Sequence, residues 1–347
     1  MKNLVYISSL ADNADTENVF YSLAGQVYQQ KMIKAFPFKK VFSFNIHRRN
    51  TISVKADGNV QYFQYPASKF LRYFYILKFI RSINSKIERK DVLLMYNVYH
   101  RTLPIFLYFK FIRRIKIYVL LADYGDPKKS ISNSLFHYIL TRSAGLFSLS
   151  PNIKIHKNTV VQELLVQSGT AKQTSKEGAV NNNNILFSGT ISKDTGILVA
   201  IGAMKYLPDF TLYISGSVFG ISESEILTLI QGQSNIKFLG KLPTDRYNCL
   251  LFDCDICLSL RDPGNKDHQY NFPSKIGEFL SHKKTVISSL QYPGFEEFVQ
   301  QTDWNVSGLV ACIKNIQPKK DATEWLEKNF GLEKFNQNMN KLVGSSF

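Results

Sequence analysis

Eight consecutive residues, Asn271-Phe272-Pro273-Ser274-Lys275-Ile276-Gly277-Glu278, hold the side-chain types that grip a phosphate and a sugar hydroxyl. Proline suits the first residue of a helix, where its missing N–H is no loss, so the spacing predicts a helix opening at Pro273. A helix start offers unpaired N–H groups and the positive end of its dipole to an anion. Ser274 adds a hydroxyl donor and Lys275 a full charge. Glu278 stands four residues after Ser274, on the same helix face, where its carboxylate can accept from the two hydroxyls of a ribose. Arg261 directly follows the apolar run Asp255-Ile256-Cys257-Leu258-Ser259-Leu260, a predicted strand, so it falls at the carboxyl edge of a sheet. A guanidinium there can hold a diphosphate bidentately. For any one of these residues, a solvated surface pair or loop residue is an equally good account. The whole set, in this order after a strand, points to a nucleotide diphosphate.

These residues need a scaffold, and the sequence supplies one. Unalternating apolar runs at 3–10, 41–46, 91–98 and 116–123 predict strands covered on both faces, as in a parallel sheet. Helical stretches separate them at 19–34, 68–87, 102–114 and 129–142. Strand and helix alternate, which is the pattern of a doubly wound α/β domain. From about Gln167 to Asn184 the composition turns to Ser, Thr, Gln, Lys and Gly and ends in four asparagines, a linker composition. The pattern then restarts, with strands at 185–189, 210–216, 235–240, 255–260 and 284–289. Helices are predicted at 197–206, 223–231, 244–252 and 274–281. Gly189, Gly216 and Gly240 each end one of these strands, where a missing Cβ lets backbone approach a ligand. The predicted domains are 1–180 and 181–320, with a terminal amphipathic helix at 321–347 packing back on the first.

The charge is lopsided. Residues 1–178 hold 27 basic against 10 acidic side chains, whereas 179–347 hold 16 against 17, so all of the +16 excess lies in the first half. That implies an anionic partner there. Two basic, aromatic stretches, 69–90 and 106–117, suit helices lying on an anionic lipid surface, and equally suit ordinary amphipathic helices with snorkelling charges. The chain has four cysteines, too few for a disulfide scaffold. Cys254 and Cys257 form a C-x2-C with no second pair, and with Cys249 they are expected to be buried structural residues. Lys2 is followed by only a short apolar run and no stretch of 18 apolar residues occurs, which predicts a cytoplasmic protein without a spanning helix.

At this point the second half resembles a known family. Phe187-to-Ile197, Leu212-to-Gly216, Asn235-to-Leu242, Asp255-to-Asp262 and Phe272-to-Ser288 match, in order and spacing, the nucleotide-sugar-binding domain of retaining GT-B glycosyltransferases of the family-four type, also called glycosyl transferases group 1. The resemblance implies an α/β GT-B fold of two Rossmann-like doubly wound domains facing a cleft. It implies that Glu278 binds the donor ribose, that Arg261, Ser274 and Lys275 hold the diphosphate, and that Leu242 and its neighbours meet the base. Gly189, Gly216 and Phe272 belong to the same donor-binding set. Many members carry Arg and Lys in the first glycine loop; here Thr190 and Thr195 stand there, and Lys193 is the available substitute. Many members also carry a second glutamate, at the position held here by Tyr270. In the first half, Asp123 or Asp126 occupies the place of a family histidine, and Asp123 is the catalytic candidate, handling the acceptor proton or orienting the sugar. His100 could also reach the site, although a structural role is the better account of it.

The implied reaction is transfer of a sugar from a nucleotide diphosphate sugar to a hydroxyl with retained configuration. The resemblance implies no obligatory metal and no cofactor. A polyprenyl-linked glycan in surface polysaccharide assembly is the expected acceptor, met at the inner face of the cell membrane. Another GT-B enzyme, such as a sugar-nucleotide epimerase, or an inactive binding subunit is an alternative. So is a nucleic-acid-binding protein, which the charge permits. Against that last reading stand the absence of any nucleic-acid motif and a basic half that reads as covered parallel sheet.

Overall fold

A computed structural model describes residues 3–12, 23–47, 53–66, 68, 71–98, 102–125, 127–153, 155–166, 183–317 and 319–344. The chain divides into two compact units, Met1–Gln167 with Phe330–Phe347, and Ser168–Asn329.

The first unit follows the apolar runs. Its elements are β1 (Leu4–Ser8), α1 (Leu23–Ala35), β2 (Lys40–His47), β3 (Ser53–Asp57), β4 (Val60–Pro66), α2 (Arg72–Asn84), β5 (Val92–Tyr96), α3 (Leu103–Leu107), β6 (Lys116–Leu121), α4 (Ile131–Arg142), β7 (Gly145–Ser148) and β8 (Thr159–Val161). The strands form one sheet in the order β3-β4-β2-β1-β5-β6-β7-β8. Every pairing is parallel except β3 with β4. All residues of β1 and β7 are buried, as a sheet covered on both faces requires. The β3–β4 hairpin lies where no strand was expected. β3 is the exposed edge strand, and β4 inside it is broken by Gln61 and Gln64, so a search for unbroken apolar runs passes over both. The turn signal is Gly58-Asn59: these two residues link Asp57 to its partner Val60, and Gly58 takes φ +57°, which glycine at the first position of a two-residue hairpin turn adopts without strain.

Right-handed crossovers put α2, α3 and α4 on the face opposite α1. α3 continues as a π-helical turn over Tyr108–Ile112, tied to the end of α2 by Tyr108 Oη donating to Asn84 Oδ1 at 3.1 Å. The outward faces of these helices carry Tyr73, Phe74, Leu77, Phe111, Ile112 and Tyr138, all more than half exposed. The exposed cations Lys78, Arg81 and Arg114 lie among them. No described helix is long and apolar enough to cross a membrane.

The second unit contains β9 (Asn184–Ile191), α5 (Ile197–Met204), β10 (Thr211–Val218), α6 (Glu223–Leu229), β11 (Ile236–Gly240), α7 (Thr244–Asp253), β12 (Ile256–Ser259), α8 (Lys266–Tyr270), α9 (Ser274–Ser281), β13 (Thr285–Ser288), β14 (Val299–Gln301), α10 (Val306–Lys314) and α11 (Thr323–Phe330). Its sheet is wholly parallel, in the order β11-β10-β9-β12-β13-β14. The winding reverses between β9 and β12, and open α/β sheets bind ligands outside the strand carboxyl ends at such a reversal. Ile185, Ile214, Ile197, Ala200, Leu258 and Leu309 join one core under α5 and α10. Each fully buried aliphatic side chain of this kind contributes about 2 kcal/mol.

The last helix, α12 (Leu332–Gly344), returns to the first unit. Phe335, Met339, Leu342 and Val343 join the core containing Leu4, Tyr6 and Phe147. Phe335 meets Phe147 edge-on at 5.5 Å. α11 instead places Trp325 against Phe295 and Phe298 of the second unit. Cys254 and Cys257 are fully buried, and burial pushes the Cys254 thiol up to about 12. Cys249 departs from expectation: it lies on the outward side of α7 and is exposed.

Candidate nucleotide site

Two glycines shape the floor. In the β9–β10 pairing Gly216 lies opposite Gly189. A Cβ on Gly216 would stand 1.8 Å from the Gly189 carbonyl oxygen, so only glycine permits this approach. Gly189 has φ +116° and Gly216 φ +153°, conformations that L side chains avoid. Both strands run two residues past these glycines, further than the sequence indicated. The Cβ position of Gly189 faces Lys275 Cε at 4.0 Å, which brings the floor against α9.

α9 spans the predicted 274–281. Pro273 is its N-cap rather than its first residue, with φ −78° and ψ 106°, and its carbonyl accepts from Ile276 N at 3.1 Å. Ser274 and Lys275 therefore open the helix, and their N–H groups have no intrahelical acceptor. Ser274 is exposed. The Phe272 ring packs against Tyr292 and Phe295 at centroid distances of 5.1 and 5.0 Å. It anchors the loop before α9, so its aromatic surface is committed to packing.

Arg261 leaves β12 beside this loop. Its backbone N–H donates to Ser289 Oγ at 2.7 Å, and that hydroxyl donates back to the Arg261 carbonyl at 2.6 Å, locking the ends of β12 and β13 together. The guanidinium donates through Nη1 to Asn271 O at 2.9 Å, which places it at the entry to α9.

An ion pair and a phenol fill the space between α7 and α9. Lys275 Nζ donates to Glu278 Oε2 at 2.9 Å and to Tyr247 Oη at 2.7 Å. Tyr247 Oη donates to the same Oε2 at 3.0 Å. Ser188 Oγ lies 3.2 Å from Tyr247 Oη, and Lys275 Nζ sits 4.1 Å from the Tyr247 ring centroid. Burial, then the Glu278 charge, pushes the Tyr247 hydroxyl far above its ordinary value, so it stays a neutral donor. From the sequence, Tyr247 falls on a predicted helix with no role of its own. The available signal was its position at the start of the helix that follows β11, five residues beyond Leu242.

Leu242 is half buried, just past β11. Lys193 is exposed in the loop after β9. It lowers the Glu225 carboxyl slightly, a shift owed chiefly to hydrogen bonds from Ser222. No described contact joins Lys193 to Arg261, Lys275 or Glu278. In the first unit Asp123 is exposed after β6, and its Oδ2 accepts from Asn97 Nδ2 at 3.3 Å. Asn97 is fully buried at φ +38°, and its Oδ1 accepts from Ala122 N at 2.8 Å, so it fixes the turn that presents Asp123. His100 and Asp126 lie outside the described residues.

No protein-family model matches the chain, and no curated protein does. Solved structures do. Sucrose-phosphate synthase from Thermosynechococcus elongatus superposes with TM-score 0.69 at 14% identity, covering 99% of this chain and 100% of its own. An α,α-trehalose-phosphate synthase (UDP-forming) from Burkholderia xenovorans, in complex with glucose-6-phosphate, gives 0.67 at 9%, covering 98% and 100%. A putative UDP-N-acetylglucosamine 2-epimerase from Listeria monocytogenes gives 0.59 at 9%, covering 100% and 98%. Near-complete coverage in both directions, with two parallel sheets, establishes the GT-B fold.

Proposed function

From the GT-B fold and the site at its second sheet, we propose that the chain is a glycosyltransferase using a nucleotide-diphosphate sugar. The observation that carries this reading is the grouping of Arg261, the start of α9, Lys275 and Glu278 at the reversal between β9 and β12. In the reaction, the bond from the anomeric carbon to the terminal phosphate oxygen breaks while a bond to the acceptor oxygen forms. The acceptor proton leaves to a base, and negative charge collects on the departing diphosphate. Arg261, Lys275 and the N–H groups of Ser274 and Lys275 are the groups that stabilise that charge. Glu278 holds the ribose, Gly189 and Gly216 let backbone approach the donor, and Leu242 meets the base. Phe272 holds the loop in place, and Lys193 is a peripheral cation.

Retention of configuration is part of this proposal, as is Asp123 as the group that takes the acceptor proton or orients the sugar. The acceptor is a lipid-linked glycan of surface polysaccharide synthesis, met by a cytoplasmic protein docked on the inner membrane face. The exposed aromatic and aliphatic side chains of α2, α3 and α4, interleaved with cations, support the docking. Sedimentation with anionic vesicles tests it: Phe74→Glu with Leu77→Glu is expected to abolish binding that neutral vesicles never show.

The donor site is tested by calorimetric titration with nucleoside diphosphates. The expected result is binding by the native protein and loss of at least about 100-fold in Arg261→Ala with Glu278→Ala, two charged contacts being removed. Unchanged binding in that double variant overturns the site. The epimerase among the similar structures supports a second reading, epimerisation of the sugar nucleotide. Product formed without any acceptor would favour it.

A further inference from the structure

The Lys275–Glu278 pair is joined through one hydroxyl, and its proton bookkeeping has a single solution. A phenol has one proton to give and two lone pairs to accept with. Lys275 Nζ has no lone pair, so Tyr247 Oη accepts from it at 2.7 Å. The phenol proton then goes to Glu278 Oε2 at 3.0 Å, and Ser188 Oγ at 3.2 Å fills the remaining lone pair as donor. Both bonds to Glu278 fall on Oε2; Oε1 takes none from any described residue, and the side chain is 34% exposed. One carboxylate oxygen is pinned and the other is open.

The two ends of the site make competing demands. A diphosphate draws Lys275 toward itself and away from Glu278. Without a second partner, Glu278 would lose the only group that orients it, just when a ribose arrives. Tyr247 supplies that partner. Its hydroxyl sits on α7, an element separate from Lys275 and Glu278, so it stays when Lys275 moves.

We propose that Tyr247 is a positioning residue that keeps Glu278 aimed at the ribose hydroxyls while Lys275 shifts to the diphosphate. This rests on the donor-site reading above. The role is narrow: it concerns recognition of the ribose diol and leaves phosphate binding alone.

The experiment measures Kd by calorimetry for the tightest binder among UDP, GDP, ADP and CDP, and for the 2′,3′-dideoxy form of the same nucleotide. The native protein is expected to prefer the ribose form by about 10-fold or more, the worth of hydrogen bonds to a charged acceptor. Tyr247→Phe is expected to weaken the ribose form about 10-fold and to leave the dideoxy form within about twofold, erasing the preference. Ser188→Ala, which removes only the hydroxyl's other donor, is expected to lower the same ratio about fivefold. It serves as the decisive variant should Tyr247→Phe fail to fold. Equal weakening of both nucleotides, or an unchanged ratio in the folded variants, overturns the role of Tyr247 while sparing the donor site. Failure of the native protein to bind any of the four nucleotides overturns the donor site and Tyr247 with it.

Discussion

Two lysine–carboxylate clusters in this molecule use the same chemistry at opposite ends of their sheets. In the first unit Lys39 Nζ meets Asp91 and Glu88, each at 2.8 Å, just before β2 and β5 begin. Asp91 is fully buried and also accepts from Glu88 N at 2.8 Å. Both Asp91 oxygens accept from Lys39, joining the two strand starts, and Glu88 Oε2 pairs with Lys90 at 3.0 Å. In the second unit Lys275 and Glu278 lie beyond the strand ends, each 34% exposed, with one carboxylate oxygen unengaged. An ion pair is therefore not informative by type. Its sheet edge and its leftover bonding capacity separate a staple from a binding group. Net charge by half does not locate the proposed anion site, which lies in the half with a balance of −1, while the basic excess of the other half is found partly on helix faces beside exposed aromatics.

The comparison can be broken first at its floor. Gly216→Ala forces a Cβ into the Gly189 carbonyl, so loss of more than about 4 kcal/mol of stability is expected, read by denaturant unfolding. Wild-type stability would mean that the close approach of β9 and β10 is not real. Next, Asp91→Ala leaves Lys39 and the Glu88 N–H short of a buried acceptor. A loss of about 3 kcal/mol is expected, with nucleotide affinity unchanged. Lys275→Ala should do the reverse, weakening nucleoside diphosphate binding about 10-fold or more while the melting temperature stays put. If Lys275→Ala unfolds the protein instead, both clusters are staples.

The smallest effect is in acid. The Lys39 hydrogen bond, then Lys90, holds the Glu88 carboxyl down at about 2, against an ordinary value of 4.5. A carboxyl lowered in the folded state stabilises above its ordinary value, and that contribution is lost as pH falls from 4.5 toward 2. Lys39→Met should flatten the fall of melting temperature across that window. The change is expected to be slight because Glu88 is half exposed.

The parallel strands were legible because a strand covered on both faces must be apolar throughout, and such runs stand out. Arg261, Ser274, Lys275 and Glu278 were legible because a helix start beside a strand end is a local feature written in adjacent residues. The β3–β4 hairpin was not legible as apolar runs because β3 is an exposed edge strand and glutamines break β4, although Gly58-Asn59 announced its turn. Phe272 read as part of the site because of its neighbours, yet its ring is held by Tyr292 and Phe295, from a loop about 20 residues on.

The sequence alone determined the two βα arrays, the placement of cations and carboxylate around one helix start, and the segregation of charge. All of these follow from periodicity and adjacency. Only the tertiary structure decided which bonds those residues make. Tyr247 reaches Glu278 across 31 residues and Ser188 across 59, and Asn97 reaches the Asp123 turn across 26. Such partners come from packing one element on another, and a phenol or an amide carries no mark in its own neighbourhood of the carboxylate it will meet.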